Sequence, residues 1–291
     1  MKNPVMTASG TFGCGREYSS LINLDELGAL VVKSLTLKER FGNPTPRICE
    51  TPCGILNSIG LQNKGIDRFI EEDLPFLASH DVPIIANVAG ESPDEYVQAC
   101  ARLNEQDEIA GIELNISCPN VKKGGMLFGQ DSDSASLVVN ACRKATEKPL
   151  IVKLTPNVAD IALLAKKVEA AGADAVSLIN TLLGLAIDVD SFRPSLASGV
   201  GGLSGPAIRP VAVRMVWDVA RAVGIPVIGM GGITDANDAV QFLLVGATAI
   251  AVGTANFMNP SSTIRIIQGI EDFLKQKGFK SVREIIGKAE V

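Results

Sequence analysis

Short apolar runs alternate along the chain with longer stretches in which apolar residues return every three or four positions. The strand-like runs are Pro4–Ser9, Ala29–Leu35, Pro83–Ala89, Gly111–Cys118, Leu150–Pro156, Ala175–Thr181, Pro226–Gly232 and Ala249–Asn256. They are rich in Val, Ile or Leu on both faces, as a parallel strand covered on both sides requires. Between them lie helical patterns. Gly65–Ser79 places Ile66, Phe69, Ile70, Leu74 and Leu77 at helical spacing. Ser92-Pro93-Asp94-Glu95 predicts a helix start, with a capping box and Pro at the first position. Val158–Ala171, Pro206–Val223 and Thr234–Val245 follow the same rule, and Gly172, Gly224 and Gly246 stand where helices should stop in the left-handed conformation. Eight βα units without a linker predict an α/β fold, a single (β/α)8 TIM barrel over residues 1–291. A doubly wound sheet would show G-x-G-x-x-G after its first strand; Gly10-Thr11-Phe12-Gly13-Cys14-Gly15 lacks that spacing.

Composition narrows the function. The 291 residues are 46% hydrophobic and 20% charged, with a net charge of −5. That is enough apolar material for a large core, and the acidic balance argues against a nucleic-acid partner. No apolar run approaches the roughly 18 residues of a membrane span, and Met1-Lys2-Asn3-Pro4 opens no signal peptide, so a cytoplasmic protein is expected. The six Cys are scattered except for Cys49 and Cys53, half a metal site at best, so reduced thiols and no metal centre are expected. His80 is the single histidine. It excludes multi-histidine metal sites and reads as a solvated loop residue.

In such barrels chemistry sits at the C-terminal strand ends. Those ends carry Ser9-Gly10, Lys33-Ser34, Asn87, Asn115 through Asn120, Lys153, Asn180-Thr181, Gly231-Gly232 and Gly253-Thr254, and the segment after the second strand adds Asn57-Ser58-Ile59-Gly60-Leu61. Amides and ammonium groups dominate, and carboxylates are almost missing. Amides offer a donor and an acceptor each, which suits a flat heterocycle with imide edges. Lys33 and Lys153 lie in apolar sequence. Each either meets an anionic ligand or snorkels to the barrel rim. The glycines ending the seventh and eighth strands, with the Gly201–Gly205 loop, suit a phosphate, although tight βα turns also use Gly. Cys118 precedes a Gly-hinged loop and can serve as acid, base or nucleophile. Cys100 and Cys142 sit mid-helix and read as inert.

Six motifs, in order along nearly the whole chain, carry a resemblance. Ala8-Ser9-Gly10-Thr11-Phe12-Gly13, Lys33-Ser34-Leu35-Thr36, Asn57-Ser58-Ile59-Gly60-Leu61-Gln62-Asn63, Asn115-Ile116-Ser117-Cys118-Pro119-Asn120, Gly229-Met230-Gly231-Gly232-Ile233 and Val252-Gly253-Thr254-Ala255 are similar to dihydroorotate dehydrogenase. Cys118 matches the class 1 enzymes, where class 2 members use Ser. Arg40 through Arg47 and Leu61-Gln62-Asn63 resemble class 1B, the flavin-bearing subunit of the NAD-linked enzyme.

The resemblance implies one FMN on the barrel top and oxidation of (S)-dihydroorotate to orotate in pyrimidine biosynthesis. By analogy Ser9, Lys33, Ser34, Asn87, Asn115, Lys153 and Ile179 surround the flavin, and Gly205, Gly231, Gly232, Gly253 and Thr254 hold its phosphate. Lys33, Asn57, Ser58, Ile59, Gly60, Leu61, Asn115, Asn180 and Thr181 hold the substrate. Cys118 takes the proton from ring carbon 5, and Lys153 neutralises charge on the reduced ring. A homodimer within a heterotetramer is implied, electrons leaving through a partner subunit with FAD and [2Fe–2S]. The fumarate-linked class 1A enzyme is the alternative. A tRNA-dihydrouridine synthase should be more basic. The resemblance departs at the start, where the family carries a short segment before Lys2-Asn3-Pro4. A truncated N-terminus and a missing floor strand or hairpin are therefore expected.

Overall fold

The computed structural model describes residues 1–116 and 131–290. Eight parallel strands form the central sheet: β1 Val5–Thr7, β2 Leu30–Val31, β3 Ile84–Val88, β4 Ile109–Asn115, β5 Leu150–Lys153, β6 Ala175–Leu178, β7 Val227–Met230 and β8 Ala249–Val252. They neighbour one another in chain order from β2 to β8, with β1 beside β8. A parallel bridge between Met6 and Ala29 joins β1 to β2 and closes the barrel. The expected (β/α)8 fold is therefore present.

Period-two alternation explains why the strands read as unbroken apolar runs. Met6, Val31, Ile85, Ile151, Ile228 and Ala251 form one buried cluster inside the barrel. Val5, Leu30, Ala86, Val152, Val227 and Ile250 belong to a second, larger cluster with the surrounding helices. Gly229 shows how closely the layers meet: a Cβ there would stand 2.6 Å from the ring of Phe242, which is fully buried behind β7. Truncating Phe242 to Ala would cost about 3–5 kcal/mol.

Helices Pro93–Asn104, Ser132–Arg143, Ile161–Ala170, Arg209–Ala220, Ala236–Leu244 and Ser262–Lys277 cover β3 through β8. The segment 66–77 covers β2, with a wider π-helical turn at Phe69–Asp73. The first connection differs from expectation. Only a single 3-10 turn, Leu24–Glu26, separates β1 from β2. Gly10, Gly13 and Gly15 all take positive φ there, a conformation that no helix continues through.

Among the described residues, four α-helix starts are capped by a side chain that accepts a backbone N–H: Ser92, Asp131, Asp160 and Asp235. The capping box at Ser92 is modified, since the Glu95 carboxylate accepts from the N–H of Glu91 at 2.7 Å, one residue earlier than expected. Gly172 and Gly246 stop their helices at φ +104° and +113°, whereas Gly224 stays outside that region and donates its N–H to Glu169.

A four-stranded antiparallel sheet adjoins the C-terminal mouth of the barrel, in the order Ile48–Thr51, Gly54–Asn57, Gly201–Ser204, Leu182–Gly184. Residues 201–204, read from sequence as loop, are a strand here because Gly202 pairs with Asn57 on one side and Leu183 on the other. Among the described residues no helix is long and apolar enough to cross a membrane.

Candidate active site

A cavity of about 1160 Å³ opens at the C-terminal strand ends. Ser9, Lys33, Ser34, Asn115, Lys153 and Ile179 enter it from β1, β2, β4, β5 and β6 or just beyond them. Asn57 through Leu61 line it from the antiparallel sheet and the loop that follows, Asn180 and Thr181 from beyond β6. Gly205, Gly231, Gly232, Gly253 and Thr254 complete the opposite side. Residues up to 245 positions apart thus share one chamber.

Two of the amides are joined to each other, and the third is tied to backbone. Asn115 donates to the Ser34 hydroxyl at 3.3 Å, and Asn180 donates to the Asn115 carbonyl oxygen at 3.4 Å. The Ser34 and Ser9 hydroxyls are 3.5 Å apart. Asn57 donates to the Gly202 carbonyl at 3.3 Å, tying its strand to the next. Each amide fixes its neighbour and still has hydrogen-bonding capacity for a ligand.

The two lysines differ. Lys153 is 6% exposed at the end of β5. Lys33 is half-buried, and no ion pair holds it among the described residues. Burial lowers the Lys33 pKa below the usual lysine value, and the Arg47 charge adds to that, while the Glu17 carboxylate pulls it partly back. A ligand anion would restore its charge. Both lysines line the cavity, so the ligand reading has the geometry it needs.

The glycines divide into two kinds. A Cβ at Gly10 would meet nothing within 4 Å, and at Gly253 only Ala8 and Thr11 at 3.5 and 3.9 Å. Both open onto the cavity and leave backbone accessible. Gly231 and Gly232, at φ of +125° and +76°, are crowded instead: a Cβ would come within 2.9 Å of Ala212 and 2.8 Å of Arg209 and the Gly205 carbonyl. Tight packing of the turn demands glycine there. An ion pair between Arg209 and buried Asp238 pins the same turn, and Thr234 donates twice to Asp238.

Asn87 is the one described candidate that does not line the cavity. It is fully buried inside the barrel and donates to Glu113 at 2.6 Å. Cys118 lies outside the described residues. Glu113 changes the picture of a site without carboxylates: it is 2% exposed, and its second oxygen accepts from the Ser177 hydroxyl at 2.6 Å. Reading only strand ends passed over it, yet the alternation Ile112-Glu113-Leu114-Asn115 puts Glu113 on the same inward face as Asn115. Asn43 and Asn157 also line the cavity unforeseen. Asn157 donates to the Thr181 carbonyl and accepts from the Leu183 N–H, both at 3.0 Å, which holds the strand-end loop. Asn63 does the same for Leu61, at 2.8 Å.

His80 lies at the other end of the barrel, before β3. It is engaged rather than solvated, with Nδ1 3.2 Å from the Asp25 carboxylate and its ring edge-on to Phe76. Cys100 and Cys142 are fully buried as expected; the neighbouring Cys142 thiol and burial push the Cys100 thiol far up.

A family model described as dihydroorotate dehydrogenase matches residues 1–274. The chain belongs to the dihydroorotate dehydrogenase family. It is 58% identical over 290 residues to the dihydroorotate dehydrogenase B (NAD(+)) catalytic subunit of Trichlorobacter lovleyi, covering 100% of this chain and 95% of that one. The catalytic subunits of the same name from Bacteroides thetaiotaomicron and Thermoanaerobacter sp. are 55% and 54% identical, each over all of this chain and 96% of the relative.

Proposed function

We propose that this chain is the FMN-bearing catalytic subunit of an NAD-linked dihydroorotate dehydrogenase, oxidising (S)-dihydroorotate to orotate in pyrimidine biosynthesis. One observation carries the reading: three amides, Asn57, Asn115 and Asn180, converge with Lys33 and Lys153 on one cavity bordered by glycine turns. The chamber fits a flavin mononucleotide. Its volume suits a nucleotide and a small acid together, and the open backbone at Gly10 and Gly253 leaves room that any side chain would fill.

Ser9, Lys33, Ser34, Asn115, Lys153 and Ile179 hold the flavin ring in this reading, with Asn87 supporting it from inside the barrel. Gly205, Gly231, Gly232, Gly253 and Thr254 hold the phosphate through backbone N–H groups and the Thr254 hydroxyl. FMN, when bound, accepts the hydride that leaves carbon 6 of the substrate. Lys33 binds the substrate carboxylate. Asn57, Asn115 and Asn180, with Ser58, Ile59, Gly60, Leu61 and Thr181, bind its ring edges and exclude water. Cys118 removes the proton from carbon 5, and Lys153 offers positive charge where negative charge develops.

The chain works as a homodimer inside a cytoplasmic heterotetramer, and electrons leave through a second subunit that carries FAD and [2Fe–2S]. The names of the relatives, catalytic subunits of an NAD-linked enzyme, support a partner subunit.

The test is anaerobic addition of dihydroorotate to the purified, flavin-loaded protein. Bleaching of the yellow flavin is expected, and a flavin that stays oxidised would overturn the reading. Co-purification of the native complex should bring down a second chain with iron. Fumarate turnover by the chain alone would place it instead with the fumarate-linked enzymes.

A further inference from the structure

Inside the barrel, beneath the cavity, a polar group interrupts an otherwise apolar filling. Glu113, Asn87 and Ser177 are each 2% exposed or less. The Glu113 carboxylate accepts from the Asn87 amide through one oxygen and from the Ser177 hydroxyl through the other, both at 2.6 Å. These are short, charge-assisted bonds between buried groups, where such bonds are strong.

Two consequences follow from the chemistry of the groups. A carboxylate only accepts, so it must face the NH2 end of Asn87. The amide is thereby locked, and its carbonyl oxygen points elsewhere. That oxygen is buried and has no hydrogen-bond partner among the described residues. A buried acceptor without a donor is the feature that a bound N–H group would satisfy.

The second consequence concerns β5. Glu113 is in register with Ile151, and Ser177 is in register with Lys153. The Glu113–Ser177 bond therefore crosses the inner face of β5 between Ile151 and Lys153. It brackets the strand end from which Lys153 rises into the cavity.

We propose that Glu113 is a positioning residue of the redox site: through Asn87 and the bracket across β5 it orders the groups beneath the flavin, and its buried negative charge sets how readily that flavin is reduced. The inference rests on the flavin reading above and adds a residue to it. Glu113 does not line the cavity, so it acts through its neighbours and through its field.

The experiment is Glu113→Gln in the full-length chain, alone and combined with Asn87→Ala. Flavin dissociation constant, flavin midpoint potential and the melting temperature of the flavin-free protein are measured for each. Gln keeps the volume and one acceptor but removes the charge and allows Asn87 to turn over. The expected result is flavin binding weaker by about tenfold, the effect of losing one charge-assisted hydrogen bond, and a midpoint potential shifted positive. In the Asn87→Ala background the loss of affinity should shrink, because the partner through which Glu113 acts is gone. A variant with parent affinity and parent potential overturns the proposal, as does one that only melts earlier. Should Glu113→Gln not fold, Ser177→Ala removes the bracket and keeps the charge: weaker flavin binding with little change in potential supports the assignment, and parent-like binding overturns it. A parent chain that takes up no flavin sinks the functional reading and this inference together; a flavin-binding parent beside an indistinguishable variant sinks the inference alone.

Discussion

Lys33→Met separates the role of Lys33 as an anion receptor from any role in the fold. The ammonium is half-buried, its pKa is lowered by burial, and no ion pair compensates it among the described residues. Met keeps the length and apolar stem of the side chain. A hydrogen bond to a charged group contributes about 1.5–3 kcal/mol, or roughly 10- to 150-fold in a dissociation constant. Because Lys33 retains part of its hydration, the lower end applies, about 10- to 30-fold. Orotate binding, followed by titration of the flavin spectrum, should weaken by that factor. The ligand-free variant should melt at or above the parent temperature, since a desolvated charge has been removed. The sign of the pH dependence follows. Between the lowered pKa of the folded state and 10.5, the unfolded chain holds more protons than the folded one, so Lys33 makes stability rise with pH in that window. A bound carboxylate stabilises the protonated form, so orotate binding weakens with rising pH over the same window. Unchanged orotate affinity in Lys33→Met, or a large loss of thermal stability, would refute the reasoning.

Cys118→Ala should retain flavin while its reduction by dihydroorotate slows by about 10²- to 10⁴-fold, the usual contribution of a positioned base; stopped-flow bleaching at the parent rate would remove Cys118 from the chemistry. Gly232→Ala forces a Cβ to within 2.8 Å of Arg209 and the Gly205 carbonyl at a φ of +76°. It should lower stability by about 1–3 kcal/mol and release flavin, read by thermal melting and by the ratio of flavin to protein absorbance. Burial and the Asp73 carboxylate push the Cys14 thiol up to about 12. Iodoacetamide at pH 8 should therefore label exposed Cys53 and spare Cys14 in a mass-spectrometric map; rapid labelling of Cys14 in the folded protein would contradict its placement.

Most of the site was legible because a (β/α)8 barrel gathers the C-terminal strand ends wherever they fall in the chain. Ser34, Asn115, Lys153 and Thr254 could be assigned to one chamber from strand positions alone. The helix starts were legible too, since Ser92 carries its capping partner within three residues. The first connection was not, because three glycines with positive φ replace a helix with a turn.

The sequence by itself determined the eight barrel strands, the (β/α)8 architecture, the family and the polar strand-end residues that meet at the mouth. Those are carried by local patterns: two-residue alternation, caps, and glycines where chains turn. What only the tertiary structure decided lies across strands. Glu113 reads in sequence as one polar residue in an apolar run, and its meaning comes from Asn87 and Ser177, 26 and 64 positions away. The tight role of Gly231 and Gly232 likewise depends on Ala212 and Arg209. Period two places a side chain inside the barrel, but strand tilt and register choose which side chains it meets there.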